Sequence, residues 1–228
     1  MEKNVCIIHY NTPELTRATI MSVLKHTPDC RIVVFDNSDR RPFVGIDGVR
    51  IIDNTRGREI DFDKLIESFP GRRESDNNYG SAKHCYTVNY CFKFFDDGFL
   101  LLDPDVLVKN DLTPLFDDSV IWVGQPHKTK KHKVNIERLY PFCCYINTRM
   151  CKDNGICYFD NNHMWQLNGT GRGSWYDTGA WFLEATRQFD SRAIYLGDYI
   201  IHYGSASFRK TDVNNWKEWL EMNKRYWL

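Results

Sequence analysis

The sequence predicts an α/β fold in which a mostly parallel central sheet is flanked by helices. The apolar run Val5–Tyr10 is followed by a helix-like segment that extends to about Lys25, and two β-rich runs follow at Arg31–Phe35 and Val49–Ile52. Strands that alternate with helices are typical of a parallel sheet. The chain has 228 residues, 42% of them hydrophobic, which is enough for one sizeable core, so we expect a single domain over residues 1–228.

Polar residues follow each of these three predicted strands. The first strand leads into Asn11-Thr12-Pro13-Glu14, where a capping residue precedes a proline and an acid in the first helical turn. The second strand ends at Asp36-Asn37-Ser38-Asp39, and the third ends at Asp53-Asn54. Open α/β sheets bind ligands at the carboxyl ends of their strands, so these three polar ends outline a binding site.

The middle of the chain contains its most apolar predicted strand. Residues 55–77 interrupt the alternation with charges, glycine and proline, apart from one helix-like turn at Asp61–Phe69, and we expect an excursion from the sheet. A helical spacing of apolar residues then runs from Ser81 to Phe95, and the strand Phe99–Leu102 follows it. That strand ends in Asp103-Pro104-Asp105, so it carries two carboxylates to the predicted binding edge.

Six further segments are predicted in the second half of the chain. A strand at Val120–Val123 precedes a basic loop at Lys128–Lys133 and an aromatic, cysteine-rich stretch. A helix is predicted over Ala180–Gln188, a last strand over Tyr195–Tyr203, and an amphipathic helix over about Val213–Trp227. No internal repeat is found, which agrees with one domain.

Composition narrows the classes of function. Thirty lysines and arginines balance thirty acidic residues, so the protein has no net electrostatic field that would attract nucleic acid or an anionic membrane. No apolar run is long enough to span a bilayer and no signal peptide is evident, so we expect a cytoplasmic protein. Of the eight cysteines only Cys30 falls in a predicted loop, and we expect buried, reduced thiols rather than a disulfide framework.

Asp103 and Asp105 are the strongest candidates for chemistry. They are two positions apart at the end of a buried strand, so their side chains share a face, and Pro104 stiffens the turn between them. Oxygen ligands held in this way suit Mg²⁺ or Mn²⁺, with diphosphate and water oxygens completing an octahedron. An exposed acidic turn without a metal is the alternative, and the position of the pair at the predicted binding edge favours the metal site.

The motifs, taken in order, resemble those of glycosyltransferase family 2 and similar GT-A enzymes. The resemblance covers about residues 4–110. Three features carry it: the polar ends of the first two strands, a stretch resembling an Asn-x-Gly motif, and the strand with its acidic pair. In chain order these segments are Asn11-Thr12-Pro13-Glu14, Asp36-Asn37-Ser38, Asn78 to Lys83 with Asn89, and Leu101 to Val106. It implies a single Rossmann-like GT-A domain, with a donor-binding half at about residues 1–110 and an acceptor-binding half at about 111–228 that includes the C-terminal helix.

The resemblance also implies a nucleotide-sugar donor, expected to be a UDP-sugar, bound with Mn²⁺ or Mg²⁺. The implied donor-binding residues are His9, Asn11, Asp36, Asn78, Lys83 and Asp103, and the implied metal ligands are Asp103, Asp105 and His202. Asp36 would accept a hydrogen bond from the base, and Lys83 would neutralise phosphate charge. A turn cap for Asp36, a solvated lysine and a buried structural histidine at His202 are the alternatives.

For the acceptor, the resemblance implies an inverting, hexosyltransferase-like reaction on a hydroxyl of a saccharide or lipid-linked molecule, as in cell-surface polysaccharide synthesis, with peripheral membrane association left open. Asp177 would be the catalytic base and Glu184 the second choice, although similar enzymes usually carry an acidic pair where this chain has one acid. Helix capping is the alternative for Asp177. Trp175, Tyr176 and Trp181 would contact the acceptor, since aromatic rings bind sugars well.

Two other classes of protein remain open at this point. A haloacid-dehalogenase-type, Mg²⁺-dependent phosphatase would use Asp103 as nucleophile beside Asp105, but that family normally begins with such a strand, and here about a hundred residues precede it. A non-catalytic α/β binding module is the other. A nicotinamide-dependent oxidoreductase is disfavoured, because the first strand-to-helix turn lacks the GxGxxG pattern.

Overall fold

The computed structural model describes residues 2–67, 79–131, 134–160, 178–204 and 213–228. A seven-stranded sheet forms its centre. Its strands are β1 (Asn4–His9), β2 (Arg31–Asp36), β3 (Arg50–Asp53), β4 (Phe99–Leu102), β6 (Trp122–Lys131), β7 (Val134–Ile146) and β8 (Arg192–Ala193). Their order across the sheet is β3-β2-β1-β4-β7-β6-β8. A separate two-stranded sheet pairs β5 (Val106–Val108) with β9 (Ile200–His202).

The sheet is mostly parallel, as predicted. Strands β1 to β4 are mutually parallel where they pair, β7 runs antiparallel to both β4 and β6, and β8 is parallel to β6. Among the described residues, β7 is therefore the one reversed strand of the seven-stranded sheet. The polar ends of β1, β2 and β3 and the acidic end of β4 lie at the same edge of the sheet, because these strands run in one direction.

Burial on both faces explains why β1 and β4 are so apolar. Cys6 and Ile8 pack into one hydrophobic cluster, while Val5 and Ile7 pack into another on the opposite face of the sheet. In β4, Leu101 packs into the first cluster and Leu100 packs into the second. Strands covered on both sides are expected to be near-continuous hydrophobic runs, which is how these two strands appear in the sequence.

Helices cover both faces. They are α1 (Pro13–His26), α2 (Phe62–Glu67), α3 (Tyr79–Cys91), α4 (Thr148–Asp153), α5 (Ala180–Ala185) and α6 (Val213–Met222). Helix α3 contributes Cys85, Val88 and Cys91 to one cluster, and α1 contributes Ile20 and Val23 to the other. None of the helices in the described segments has the length and apolarity that a membrane span requires.

Several predicted boundaries in the second half were wrong. The basic residues predicted as a loop from Lys128 extend strand β6 to Lys131, and the strand predicted over Tyr195–Tyr203 is a 3₁₀ turn at Leu196–Asp198 followed by β9. The helix predicted to reach Gln188 ends at Ala185. For the two strand predictions, the physical reason is that pairing with other strands overrides local propensity. The helix ends beside Thr186, whose hydroxyl accepts from Trp122 and donates to the carbonyl of Phe182.

The cysteines are free thiols, all eight of which lie in the described segments. Cys6 and Cys91 are fully buried with their sulfur atoms 3.5 Å apart, and Cys30 is half-buried. Burial raises the pKa of the Cys30 thiol to about 11, and the nearby Lys3 charge lowers it only in part. Cys30 is therefore protonated near neutral pH, and the buried thiols pack as small apolar groups.

Candidate active site

The turn Asp103-Pro104-Asp105 is fixed by hydrogen bonds to three different elements. The backbone N–H of Asp103 donates to the carbonyl of Phe142 on β7 at 3.0 Å. The hydroxyl of Thr19 on α1 donates to the carbonyl of Pro104 at 2.8 Å, and the N–H of Tyr203 donates to the carbonyl of Asp105 at 3.0 Å. The two carboxylates are thus presented by a rigid turn rather than by a free loop.

His202 joins this pair through the small second sheet. Strand β5 leaves the acidic turn directly and pairs antiparallel with β9, in a register that places Val106 opposite His202. As a result, Nε2 of His202 lies 3.1 Å from Oδ1 of Asp105. One ligand atom each from Asp103, Asp105 and His202 lies within 4.8 Å of the others, which forms the only such candidate cation cluster found among the described residues.

The chemistry of this cluster fits a divalent cation. Two carboxylate oxygens and an imidazole nitrogen suit Mn²⁺, and the oxygens also suit Mg²⁺. Asp105 is only 5% exposed, which is unusual for a surface acidic turn and consistent with a charge that has partners. The ion pair between Asp105 and His202 also satisfies both groups without a cation, so the cluster by itself indicates a site and does not identify the ion.

Electrostatic interactions keep Asp103 ionised. Burial acts to raise its pKa, but contact with His84 and the positive charges of His202 and Arg138 outweigh it and lower the pKa below its usual range. For His202, burial acts to lower the pKa, but hydrogen bonding to Asp105 and the charges of both carboxylates raise it overall. Each group therefore stabilises the charged form of the other.

Sequence reasoning missed three residues around the cluster. His84 of α3 approaches Asp103, with Nε2 at 3.2 Å from Oδ1. Phe142 of β7 stacks on the His202 ring at a centroid distance of 4.0 Å, and Arg138 is close enough to influence both Asp103 and His202. No local pattern marks these residues, because they belong to a helix face and a strand whose position depends on the whole sheet.

Asp36 and His9 have buried, hydrogen-bonded side chains. The Asp36 carboxylate accepts from the backbone N–H groups of Ser38 at 2.9 Å and Phe43 at 2.7 Å, which is the turn-capping arrangement. His9 is fully buried, with Nδ1 at 2.6 Å from the Thr16 hydroxyl and Nε2 at 3.1 Å from the Arg41 carbonyl. Contact between Asp36 or the His9 backbone and a nucleotide base stays a prediction.

Asn11 organises the loop at the same edge of the sheet. It has a positive φ of 56°, a conformation that asparagine tolerates better than most residues. Its side-chain oxygen accepts from the N–H groups of Arg40 at 3.0 Å and Arg41 at 2.9 Å. Asn11 therefore ties the end of β1 to the loop after β2, and its predicted contact with the donor is untested.

Lys83 lies on α3 at the same end of the sheet. Its ammonium nitrogen is 5.1 Å from the ring centroid of Phe62 and 5.9 Å from that of Tyr10, both favourable cation–π distances. Asn78, the other predicted donor residue in this region, lies outside the described residues. The predicted role of Lys83 in phosphate binding stays a prediction.

Three of the predicted acceptor-side residues, Trp175, Tyr176 and Asp177, lie outside the described residues. Trp181 and Glu184 are on the short helix α5, where Trp181 is half-buried. The Glu184 carboxylate is exposed and pairs with Arg187 at 2.8 Å. This ion pair engages Oε2, one of the two oxygens that a catalytic base would use.

Solved structures with the same architecture are glycosyltransferases. The galactosyltransferase LgtC in complex with donor and acceptor sugar analogues is 13% identical, with a TM-score of 0.50 over 80% of this chain and 70% of LgtC. Mouse xyloside xylosyltransferase 1 in its apo form is 10% identical, with a TM-score of 0.51 over 86% of each chain. GlyE of Streptococcus pneumoniae TIGR4 has a TM-score of 0.48 at 14% identity, and the chain spans 53% of its length.

These likenesses show the fold: the chain has the GT-A fold of glycosyltransferases. At such low identities they do not transfer a substrate or a reaction. No protein-family model matches the chain, and no curated protein matches it. Assignment to family 2 therefore stays a prediction.

Proposed function

We propose that this protein is a metal-dependent glycosyltransferase that uses a nucleotide-sugar donor. The observation that carries the proposal is the cluster of Asp103, Asp105 and His202 at the carboxyl end of β4 in a GT-A fold. Ligand sites of open α/β sheets lie at this edge. The donor set has the oxygen and nitrogen ligands that Mn²⁺ or Mg²⁺ accepts.

We assign the donor as a nucleoside-diphosphate sugar, with uridine as the expected base. Asp103, Asp105 and His202 would hold the cation, which when bound neutralises the charge of the diphosphate leaving group. Lys83 lies on α3 at the same end of the sheet and would contribute a second positive charge to the phosphates. The loop that follows the buried Asp36 and is held by the partly buried Asn11 would form one wall of the nucleotide pocket.

We assign the acceptor as a hydroxyl of a saccharide or lipid-linked saccharide, in a cytoplasmic pathway of cell-surface polysaccharide synthesis. Trp175, Tyr176 and Trp181 would contact the acceptor, and Asp177 would take the proton from its hydroxyl in an inverting displacement. Glu184 is the weaker choice as base, because its carboxylate pairs with Arg187. The described fold gives no support to the phosphatase or to the non-catalytic module.

Isothermal titration of UDP in the presence of Mn²⁺ tests the proposal directly. We expect saturable binding that is lost when EDTA is added, because the diphosphate needs the cation as a bridge. A subsequent screen of sugar nucleotides by thermal stabilisation would then identify the donor, since a ligand stabilises the protein in proportion to the logarithm of its excess over Kd. Binding of nucleoside diphosphates that is absent, or equal with and without metal, would refute the metal-dependent transferase.

A further inference from the structure

His84 lies beside the proposed metal cluster without belonging to it. Its Nε2 is 3.2 Å from Oδ1 of Asp103. Its ring nitrogens are nevertheless not part of the cluster of ligand atoms of Asp103, Asp105 and His202, which all lie within 4.8 Å of one another. The His84 side chain is 18% exposed, and that of Asp103 is 25% exposed. The imidazole therefore reaches one carboxylate ligand from the α3 side while remaining outside the set of three.

The surroundings of His84 leave Asp103 as its partner. Both ring nitrogens are shielded from solvent, and within the described part of the chain neither makes a hydrogen bond of good geometry. Burying an imidazole N–H is unfavourable unless an acceptor compensates for the lost water. The Asp103 carboxylate, 3.2 Å from Nε2, is an acceptor within reach, and this contact lowers the pKa of Asp103.

Helix α3 is fixed in the position that this contact requires. Asn37, at the end of β2, donates to the hydroxyl of Thr87 at 2.8 Å, and that hydroxyl donates to the carbonyl of Lys83 at 2.8 Å. Asn54, after β3, donates to the side-chain oxygen of Asn37 at 2.8 Å. This buried chain of hydrogen bonds ties the helix turn that carries His84 to the ends of two strands.

We infer that His84 is a positioning residue for the metal site: its Nε2–H holds Oδ1 of Asp103 and orients the carboxylate toward the cation. The inference rests on the proposed function and assigns no metal bond to His84. A carboxylate keeps further lone pairs after accepting one hydrogen bond, so Asp103 can still coordinate. Groups that orient metal ligands in this way typically contribute a 10- to 100-fold effect on metal affinity.

The test compares Mn²⁺ binding by the wild type, His84→Leu and His84→Gln, measured by titration with UDP present. Leucine fills similar space without a donor, so we expect affinity to fall roughly 10- to 100-fold. Glutamine places an N–H near the position of Nε2, so we expect it to recover most of the affinity. His26→Leu is the matched control, because His26 is the last residue of α1, at the end of that helix away from the cluster. This variant should leave Mn²⁺ binding in place.

A structural readout separates positioning from general damage. The urea midpoint of His84→Leu should match that of His84→Gln, while the Co²⁺ absorption bands of the substituted site change only in the leucine variant. If His84→Leu does not fold, His84→Asn, whose amide is too short to reach Oδ1, takes its place. Wild-type Mn²⁺ affinity in the leucine variant would overturn the inference alone, whereas no Mn²⁺ binding by the wild type would overturn the proposed function with it.

Discussion

At the scale of single residues, burial of charge distinguishes the acidic pair from an ordinary surface turn. Asp105 is almost completely buried and pairs with His202, while Asp103 keeps a partly exposed face toward the edge of the sheet. Buried carboxylates are costly unless cations or hydrogen bonds compensate them. Here the charge of His202 supplies that compensation, so the acidic pair belongs to a specific electrostatic arrangement rather than to a solvated turn.

Replacing Asp105 by asparagine tests the cation site with little change in shape. We expect Mn²⁺-dependent UDP binding to weaken at least about 10-fold, because a neutral amide is a poorer ligand than a carboxylate. Titration calorimetry provides the measurement. Asp29→Asn, an exposed carboxylate at the opposite edge of the sheet, is the control, and equal weakening in both variants would contradict a local effect.

His9 should make stability depend on pH. Burial, only partly offset by the Arg41 carbonyl and the Asp36 charge, lowers its pKa below the ordinary value of 6.5. The unfolded chain therefore binds more protons than the folded chain as pH falls below about 6.5, so this contribution to stability is present above that pH and lost below it.

The measurement is the urea midpoint of the wild type and of His9→Gln between pH 7.5 and 5.5. Glutamine can replace the contacts to Thr16 and Arg41 but does not titrate. We expect the wild type to lose more stability over this range than the variant does. Identical pH slopes would show that His9 is not the source of the effect.

At the scale of elements, the start of α5 depends on one glycine. Gly179 has a φ of +82°, and a Cβ at this position would lie 2.2 Å from the carbonyl oxygen of Leu139 on β7. The N–H of Leu139 also donates to the Gly179 carbonyl at 3.2 Å. The close approach of backbone to backbone thus joins α5 to the central sheet.

Gly179→Ala should therefore destabilise the protein by roughly 2–4 kcal/mol, from the positive φ and from the displaced backbone together. Gly155→Ala is the matched control, because Gly155 also has a positive φ, of +65°, but has open space around it. We expect this control to cost only about 1–2 kcal/mol. Equal costs by chemical denaturation would show that contact with Leu139 is unimportant.

At the scale of the whole molecule, the reversed strand β7 separates the two halves of the sheet. The parallel strands β1 to β4 lie on one side of it, and β6 and β8 lie on the other. Along β7, Phe142 contacts His202 of the candidate cation cluster, Tyr140 contacts Phe142, and Arg138 lies over the ring of Tyr140. The proposed donor and acceptor regions therefore share β7 as a common boundary.

The stereochemistry of transfer tests how these halves work together. We expect inversion, with Asp177 as base in a single displacement, and proton NMR of the newly formed anomeric bond would reveal it. Asp177→Asn should retain UDP and Mn²⁺ binding while transfer falls at least about 100-fold. Retention of configuration, or transfer near the wild-type rate in this variant, would contradict the assigned mechanism.

The sequence by itself determined the parallel half of the sheet and the position of its acidic pair. Strands β1 to β4 are signalled locally, because each is a short apolar run that ends in polar residues, and parallel strands bring those ends to one edge. Asp103 and Asp105 were found for this reason. The length of β6 was not, because its pairing with β7 rather than local propensity fixes where it ends.

The contacts around the acidic pair depend on the tertiary structure, although the family resemblance had already named His202. Asp105 and His202 are 97 positions apart, and their contact depends on the pairing of β5 with β9. His84 reaches Asp103 because buried hydrogen bonds fix α3, and Phe142 reaches His202 because β7 inserts beside β4 in reverse. Contacts of this kind bring together residues that are far apart in the sequence, so no local spacing of residues predicts them.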